Sequence, residues 1–234
     1  MQMVILVGGL ATRLGTLTQD IPKSMICIKG KPFLEYQIDL LKRSHITDII
    51  LCVGHKGEQI QTHFGDGSRF GIHIQYSVEQ DKLLGTAGAL KNASHLLEEE
   101  FLLMYGDSYL LLDYPKIMTS FYDSGKLGLM VAYKNSNCHD CSNVILENNL
   151  IKVYDKKQQT PDMIYIDEGL SALKKSALNF ISEDEAMSLE YLYNRLIEQR
   201  ELLAFETDQR FYEIGSPAGI EEFSNLVESG DIPT

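Results

Sequence analysis

The stretch "MVILVGGLATRLGTLTQDIPKSM", residues 3–25, decides how the chain is read. Its apolar run, Met3 to Val7, is short and β-rich, and it stops at two glycines. Thr12 and Arg13 follow, then Pro22-Lys23, with no second apolar block between them. Glycines directly after a strand let backbone N–H groups come close to a base or phosphate, and Arg and Lys supply charge-assisted donors. Two familiar phosphate loops fail here. A Walker loop closes on Gly-Lys-Ser/Thr, but Gly15 is followed by Thr16. The dinucleotide fingerprint needs G-x-G-x-x-G, whereas Gly8 and Gly9 are adjacent, so a nicotinamide-dependent oxidoreductase is disfavoured.

Outward from this stretch, strand and helix alternate. "DIILCV" (48–53), "IHIQYSV" (72–78) and "EFLLMYGD" (100–107) read as strands. "KPFLEYQIDLLKRS" (31–44), "HKGEQIQTHF" (55–64) and "TAGALKNASHLL" (86–97) read as helices between them. Short connections between alternating elements predict parallel βαβ units. The second half is richer in strands: "LGLMVAYK" (127–134), "SNVILENNLIKVYDKK" (142–157) and "MIYIDEGLSALKKS" (163–176), with a hairpin signal at Asn148-Asn149. Helical stretches return at 186–200 and 217–228. The expected fold is α/β: a Rossmann-like, mostly parallel sheet flanked by helices, with an inserted mixed-sheet lobe, in one domain over residues 1–230. The hexapeptide period of a left-handed β-helix is absent from the sequence.

Composition narrows the function classes. The 234 residues are 44% hydrophobic, enough for a substantial core. The net charge of -12 argues against a general nucleic-acid binder. It leaves room for anionic small ligands, because a few local cations can dominate one cleft. No apolar run reaches bilayer-spanning length, so no membrane partner is expected. The four Cys are scattered, which predicts a cytoplasmic protein with reduced thiols. "CHDC" (138–141) resembles half a zinc or redox motif, but no second such pair exists, and the reading taken is a polar loop.

"GGLATRLGTLTQDIPKSM" resembles the signature of the sugar-phosphate nucleotidyltransferases, whose pattern runs G-G-x-G-T-R-L-x-P-L-T, a spacer, then P-K. Ala11 replaces the usual glycine and Gly15-Thr16 the usual residue and proline; no charged group is lost. Further segments follow in the family's order over nearly the whole chain. The resemblance implies that Gly8, Gly9, Leu10, Ala11, Thr12 and Arg13 bind the nucleotide, together with Glu79, Gly85 and Thr86. It implies that Gly106, Asp155, Lys156, Asp167, Glu168 and Gly169 bind the sugar phosphate. Asp167-Glu168 stands where the family carries Asn-Ala, which leaves the sugar open. Asp107 and Glu213, the latter replacing the family's second Asp, would hold Mg²⁺. Residues 1–110 would then serve mainly the nucleotide and 111–230 mainly the sugar phosphate.

The implied reaction joins a sugar 1-phosphate to the α-phosphorus of a nucleoside triphosphate, releasing pyrophosphate. Its catalytic residues would be Arg13, on the departing phosphates, Lys23, on the α-phosphate, and Asp107. Glu79 falls where the family reads the base edge, and guanine offers a carboxylate two adjacent donors. That favours GTP, and the compact plan is most similar to heptose-1-phosphate guanylyltransferases. Glu79 also suits the single donor of uracil, so a uridylyltransferase acting on N-acetylmuramate 1-phosphate stays open. "FLEYQIDLLKRSHITDIILCVG" and "FYEI" are similar to phosphocholine cytidylyltransferases as well, although "LGTAGAL" is a sugar-type segment. A nucleotide-sensing regulatory subunit that lost turnover is a further alternative, kept open by Glu213 and Asp167-Glu168. The intact Arg13, Lys23, Asp107 and Lys156 speak against it. A homodimer is compatible with the sequence.

Overall fold

A computed structural model describes residues 1–9, 12–80, 82–135, 138, 140–183, 185–230 and 232. The strands are β1 (Gln2–Leu6), β2 (Cys27–Ile28), β3 (Lys31–Pro32), β4 (Asp48–Val53), β5 (His73–Val78), β6 (Glu100–Tyr105), β7 (Ser108–Leu110), β8 (Gly128–Lys134), β9 (Val144–Glu147), β10 (Leu150–Tyr154), β11 (Tyr165–Lys174), β12 (Leu202–Thr207) and β13 (Phe211–Glu213). The α-helices are α1 (Phe33–Arg43), α2 (Gly57–Phe64), α3 (Gly85–Asn92), α4 (Tyr114–Ser124), α5 (Leu189–Glu198) and α6 (Pro217–Ser229).

Nine strands form one sheet in the order β5-β4-β1-β6-β11-β8-β12-β10-β9. The first four run parallel, as the βαβ reading predicts. Beyond β6 the sheet is mixed. Strand β11 is antiparallel to both β6 and β8, β12 is parallel to β8, and β10 is antiparallel to β12 and β9. The mixed strands of the second half therefore continue the edge of the parallel half. The β9–β10 turn is the Asn148-Asn149 hairpin, with both residues at positive φ (52° and 59°), as a type I′ turn demands.

Side-chain alternation builds a core on each face of the sheet. Met3, Ile5, Ile49, Leu51, Leu102 and Met104 join Leu34, Ile38 and Leu41 of α1 and Ile117 and Phe121 of α4. The intervening Val4, Ile50, Cys52, Phe101 and Leu103 face the other way, onto Leu90 of α3 and Leu192 and Leu196 of α5. Each fully buried aliphatic or aromatic side chain contributes about 1.5–3 kcal/mol. A third cluster forms where Phe223 of α6 meets the rings of Phe33, Tyr36 and Tyr109 at centroid distances of 5.0, 5.4 and 4.9 Å. Helix α1 thus packs on two cores at once. Among the described residues no helix is long and apolar enough to cross a membrane.

Registers align the carboxyl ends of the parallel strands. Leu6 lies level with both Cys52 and Tyr105. The glycine turn after β1 and the Gly106-Asp107 turn after β6 consequently leave from one edge, where open parallel sheets gather ligands.

Candidate active site

At that edge lies a cavity of about 250 Å³. Gly8 and Gly9 line it from the β1 turn, Gly106 and Asp107 from the β6 turn, and Glu79, Gly85 and Thr86 from the segment entering α3. Lys23 closes it from the short 3₁₀ turn Lys23–Met25. Residues more than 80 positions apart in sequence are thereby brought together. The expected Leu10 and Ala11 lie outside the described residues. Thr12 and Arg13 begin the segment Thr12–Thr18, but their side chains also lie outside what is described. The far end of that segment is tied to α2: Lys56 Nζ donates to Thr18 O (3.3 Å) and Gln59 Nε2 to Asp20 O (2.9 Å).

Asp107 and Lys23 form an ion pair across the cavity, each side chain mostly but not wholly buried. The turn that presents Asp107 needs glycine at 106. A Cβ there would stand 2.7 Å from Leu6 O and 2.5 Å from Val7 Cγ1, and the backbone oxygen cannot move aside. Gly106→Ala is expected to cost about 1–3 kcal/mol of stability and to push Asp107 off the cavity, checked by denaturant unfolding alongside turnover.

Glu79 enters the cavity wall with one oxygen already used: the Leu84 N–H donates to Oε1 at 2.6 Å. Its Oε2 faces the glycine turn, 2.8 Å from where a Cβ on Gly8 would stand. Burial pushes its carboxyl above the usual range, partly offset by the Leu84 hydrogen bond. At the start of α3 the N–H groups of Ala87 and Gly88 do not face the cavity unpaired but donate to Met187 O (2.9 and 3.4 Å). Thr86 Oγ1 accepts from Leu189 N (2.8 Å), so this helix start is docked onto α5.

The sugar-phosphate candidates divide. Asp167, whose side chain is 1% exposed, accepts from Tyr154 OH (2.8 Å) and Gly169 N (3.0 Å) and lies 3.6 Å from Lys156 Nζ. Lys156 stands over the rings of Tyr105 and Tyr154, 5.2 and 5.5 Å from their centroids, and Tyr105 also lines the cavity. Lys156, Asp167 and the cavity therefore form one neighbourhood. Gly169, at φ +93°, packs behind the Asp107 turn, where a Cβ would meet Ser108 Oγ at 2.8 Å. Glu168 points into the core and is 2% exposed. Asp155 turns away: its Oδ1 accepts from Lys157 N (2.7 Å) and Gln158 N (2.9 Å), bonds that hold its carboxyl below the usual range.

Glu213 sits beside Asp107 in the backbone, since β13 pairs with β7 and Ile214 N donates to Asp107 O (3.0 Å). Its carboxylate, however, accepts from Ser216 Oγ (2.6 Å) and from the N–H of Gly215, at the start of α6. Among the described residues no three His, Cys, Asp or Glu side chains group closely enough to cage a metal. Cys138 and Cys141 are exposed and not joined in a disulfide, and His139 lies outside the described residues. Cys52, on the cavity wall, is buried and its thiol is pushed up to about 12, an inert structural cysteine. Tyr105, Tyr154 and Ser24 at this site were not anticipated from sequence. Single Tyr and Ser residues at strand ends carry no distinguishing local pattern.

A strand-end cavity crossed by a lysine–carboxylate pair, with a second lysine beside it, suits a polyphosphate and a metal. The profile of the nucleotidyl transferase family matches residues 2–229. The chain belongs to that family. Among its relatives, the D-glycero-alpha-D-manno-heptose 1-phosphate guanylyltransferase of Campylobacter jejuni is 32% identical over 225 residues, covering 95% of this chain and 98% of the relative. The enzyme of the same name from Aneurinibacillus thermoaerophilus is 33% identical over 220 residues, covering 93% and 94%. The crystal structure of HddC from Yersinia pseudotuberculosis complexed with GMP-PN superposes with a TM-score of 0.80 at 28% identity, covering 97% of this chain and 99% of that one. This nucleotidyltransferase thus aligns over 93–97% of its length with relatives of similar size.

Proposed function

We propose that the protein transfers a guanylyl group from GTP to a sugar 1-phosphate, giving a GDP-sugar and pyrophosphate. The observation that carries this reading is the Lys23–Asp107 pair on the strand-end cavity, with Lys156 alongside. The preference for GTP is supported by relatives that are guanylyltransferases and by a solved relative in complex with GMP-PN.

The chemistry follows from charge. A sugar-phosphate oxygen attacks the α-phosphorus in line, forming a new P–O bond as the bond to the β-phosphate oxygen breaks. A phosphate monoester's second pKa is about 6, so the nucleophile is ionised at neutral pH and needs no general base. The difficulty is bringing two polyanions together, so the residues position and neutralise. Lys156, oriented by Asp167 and two aromatic faces, would grip the incoming phosphate. Lys23 would meet the α-phosphate and Arg13 the departing phosphates. Residues 1–110 would mainly hold the nucleotide and 111–230 mainly the sugar phosphate, within one domain.

Asp107, on the cavity, suits Mg²⁺, which takes one or two carboxylates and completes its octahedron with phosphate oxygens and water. Asp107 would hold it, and Glu213, at the adjoining strand end, would join it by giving up its bonds to Ser216 and Gly215; bound there, the ion would neutralise phosphate charge. Cysteines not joined in disulfides suit a reducing, cytoplasmic setting.

The test is a matrix of the common triphosphates against a panel of sugar 1-phosphates, with pyrophosphate release measured with and without a chelator. Release with GTP and a sugar 1-phosphate, abolished by chelation and restored by Mg²⁺, is the expected result. Preferential use of another triphosphate overturns the GTP assignment, and no release from any pairing overturns the transfer reaction.

A further inference from the structure

Helix α1 is fastened to both halves of the Lys23–Asp107 pair. At its start, the Phe33 N–H donates to Ile26 O (3.0 Å), and Ile26 N in turn donates to Lys23 O (3.1 Å), closing the turn that carries Lys23. One turn of helix further on, Gln37 is 1% exposed and directs its amide at the other half. Its Nε2 lies 3.1 Å from Tyr105 O and 2.6 Å from Ser108 O, the two carbonyls that flank Gly106-Asp107. Two acceptors can be met only by the nitrogen of the amide, so chemistry fixes its orientation. That orientation leaves Gln37 Oε1 buried without a partner among the described residues. A half-satisfied buried amide is costly, and the neighbouring inward positions of α1 are Phe33, Leu34, Ile38 and Leu41. An apolar side chain would serve packing better at position 37.

We propose that Gln37 is a positioning residue for the transfer reaction: its amide clamps the Tyr105–Ser108 turn so that the Asp107 carboxylate stays opposed to Lys23 at the cavity. Other bonds hold this turn to the sheet, Gly106 N–H to Leu6 O and Ile214 N–H to Asp107 O, both 3.0 Å. Gln37 instead spans the turn and links it to the helix that anchors Lys23. One rigid element thereby sets the separation of the two charges. Small misplacements of such groups lower rate steeply. The role rests on the reaction proposed above.

Gln37→Leu keeps the volume and removes the donor. It is expected to lower kcat about 10–100-fold while KM for the triphosphate stays within about threefold, since a group is displaced without being removed. Hydrogen exchange should accelerate across residues 105–108 and stay slow in β1. Gln37→Glu supplies the second readout. Only its protonated carboxyl can donate, so its kcat relative to wild type should rise as pH falls from about 8.5 to about 6.5, whereas that of Gln37→Leu should stay flat. If Gln37→Leu does not fold, the pH response of Gln37→Glu carries the test alone. Wild-type kcat and exchange in Gln37→Leu overturn the proposal. So does faster exchange spread equally over β1 and β6 with a pH-flat Gln37→Glu, which would mean that Gln37 only packs α1. If the wild-type protein releases no pyrophosphate from any pairing, the reaction reading fails, while the exchange pattern still decides whether the clamp exists.

Discussion

Lys23→Ala is expected to lower turnover about 10²–10³-fold, and Asp107→Asn by a similar factor, in a protein that remains folded. The estimate corresponds to removing one preorganised electrostatic contact from the transition state, about 2.7–4 kcal/mol. The same pair contributes far less to stability. Its side chains are 18% and 28% exposed, and a solvent-screened pair is worth about 0–1 kcal/mol. Catalysis and folding should therefore separate cleanly: a large fall in kcat with a small change in melting temperature. The double variant should lose less than the product of the single losses, because each residue holds the other in place and they act as a unit. Near-wild-type turnover in either single variant, measured by pyrophosphate release, would remove the pair from the reaction. A melting collapse equal to the loss of activity would make it structural.

The parallel half of the fold was legible because its signals are local. Met3–Val7, "DIILCV" and "EFLLMYGD" are bounded apolar runs, and the helices between them have one apolar face. The helix α4 went unanticipated although its signals are present. Asp113 caps it through Lys116 N (3.0 Å), Pro115 stands in its first turn, and Gly125 ends it at φ +65°. The short strands β7 and β13 exist only through pairing with each other, which no local window reveals. The site divides in the same way. Part of the cavity lining followed from the motif order, as with Gly8, Lys23, Glu79 and Asp107, while Ser24 and Tyr105 did not. Where their atoms point did not, because that depends on partners distant in sequence. Glu213 turns to α6, Asp155 closes its own turn, and Ala87 and Gly88 are taken by Met187. The one local sign of Gln37 is a polar residue on the apolar stripe of α1.

The second large effect is on stability and its pH dependence, and it comes from Glu168. Neither of its carboxyl oxygens has a hydrogen-bond partner among the described residues, and the residue is 2% exposed. Burial first, and then the neighbouring Asp167 charge, push its carboxyl up to about 8, with Arg210 only partly opposing. In the unfolded chain a glutamate titrates near 4.3, so folded protein holds this proton more tightly. Stability is then greatest below about pH 4 as far as this group is concerned. It falls as pH rises through the window from about 4.3 to about 8, where only the unfolded chain has lost the proton, and levels off above. The total fall is on the order of 5 kcal/mol. Glu168→Gln removes the titration, and the variant should melt above wild type at pH 8.5, by about 2–4 °C for each kcal/mol recovered. Every other titratable group is common to both proteins, so the difference between the two curves isolates Glu168. Parallel curves would refute the assignment. The consequence reaches the site because Glu168 sits in the irregular stretch of β11 between Asp167 and Ser171. Asp167 on one side orients Lys156, and Gly169 on the other backs the Asp107 turn. Ionising Glu168 loads a segment that touches the partners of both Lys156 and Lys23, so wild-type turnover should fall at alkaline pH ahead of global unfolding, and Glu168→Gln should retain it.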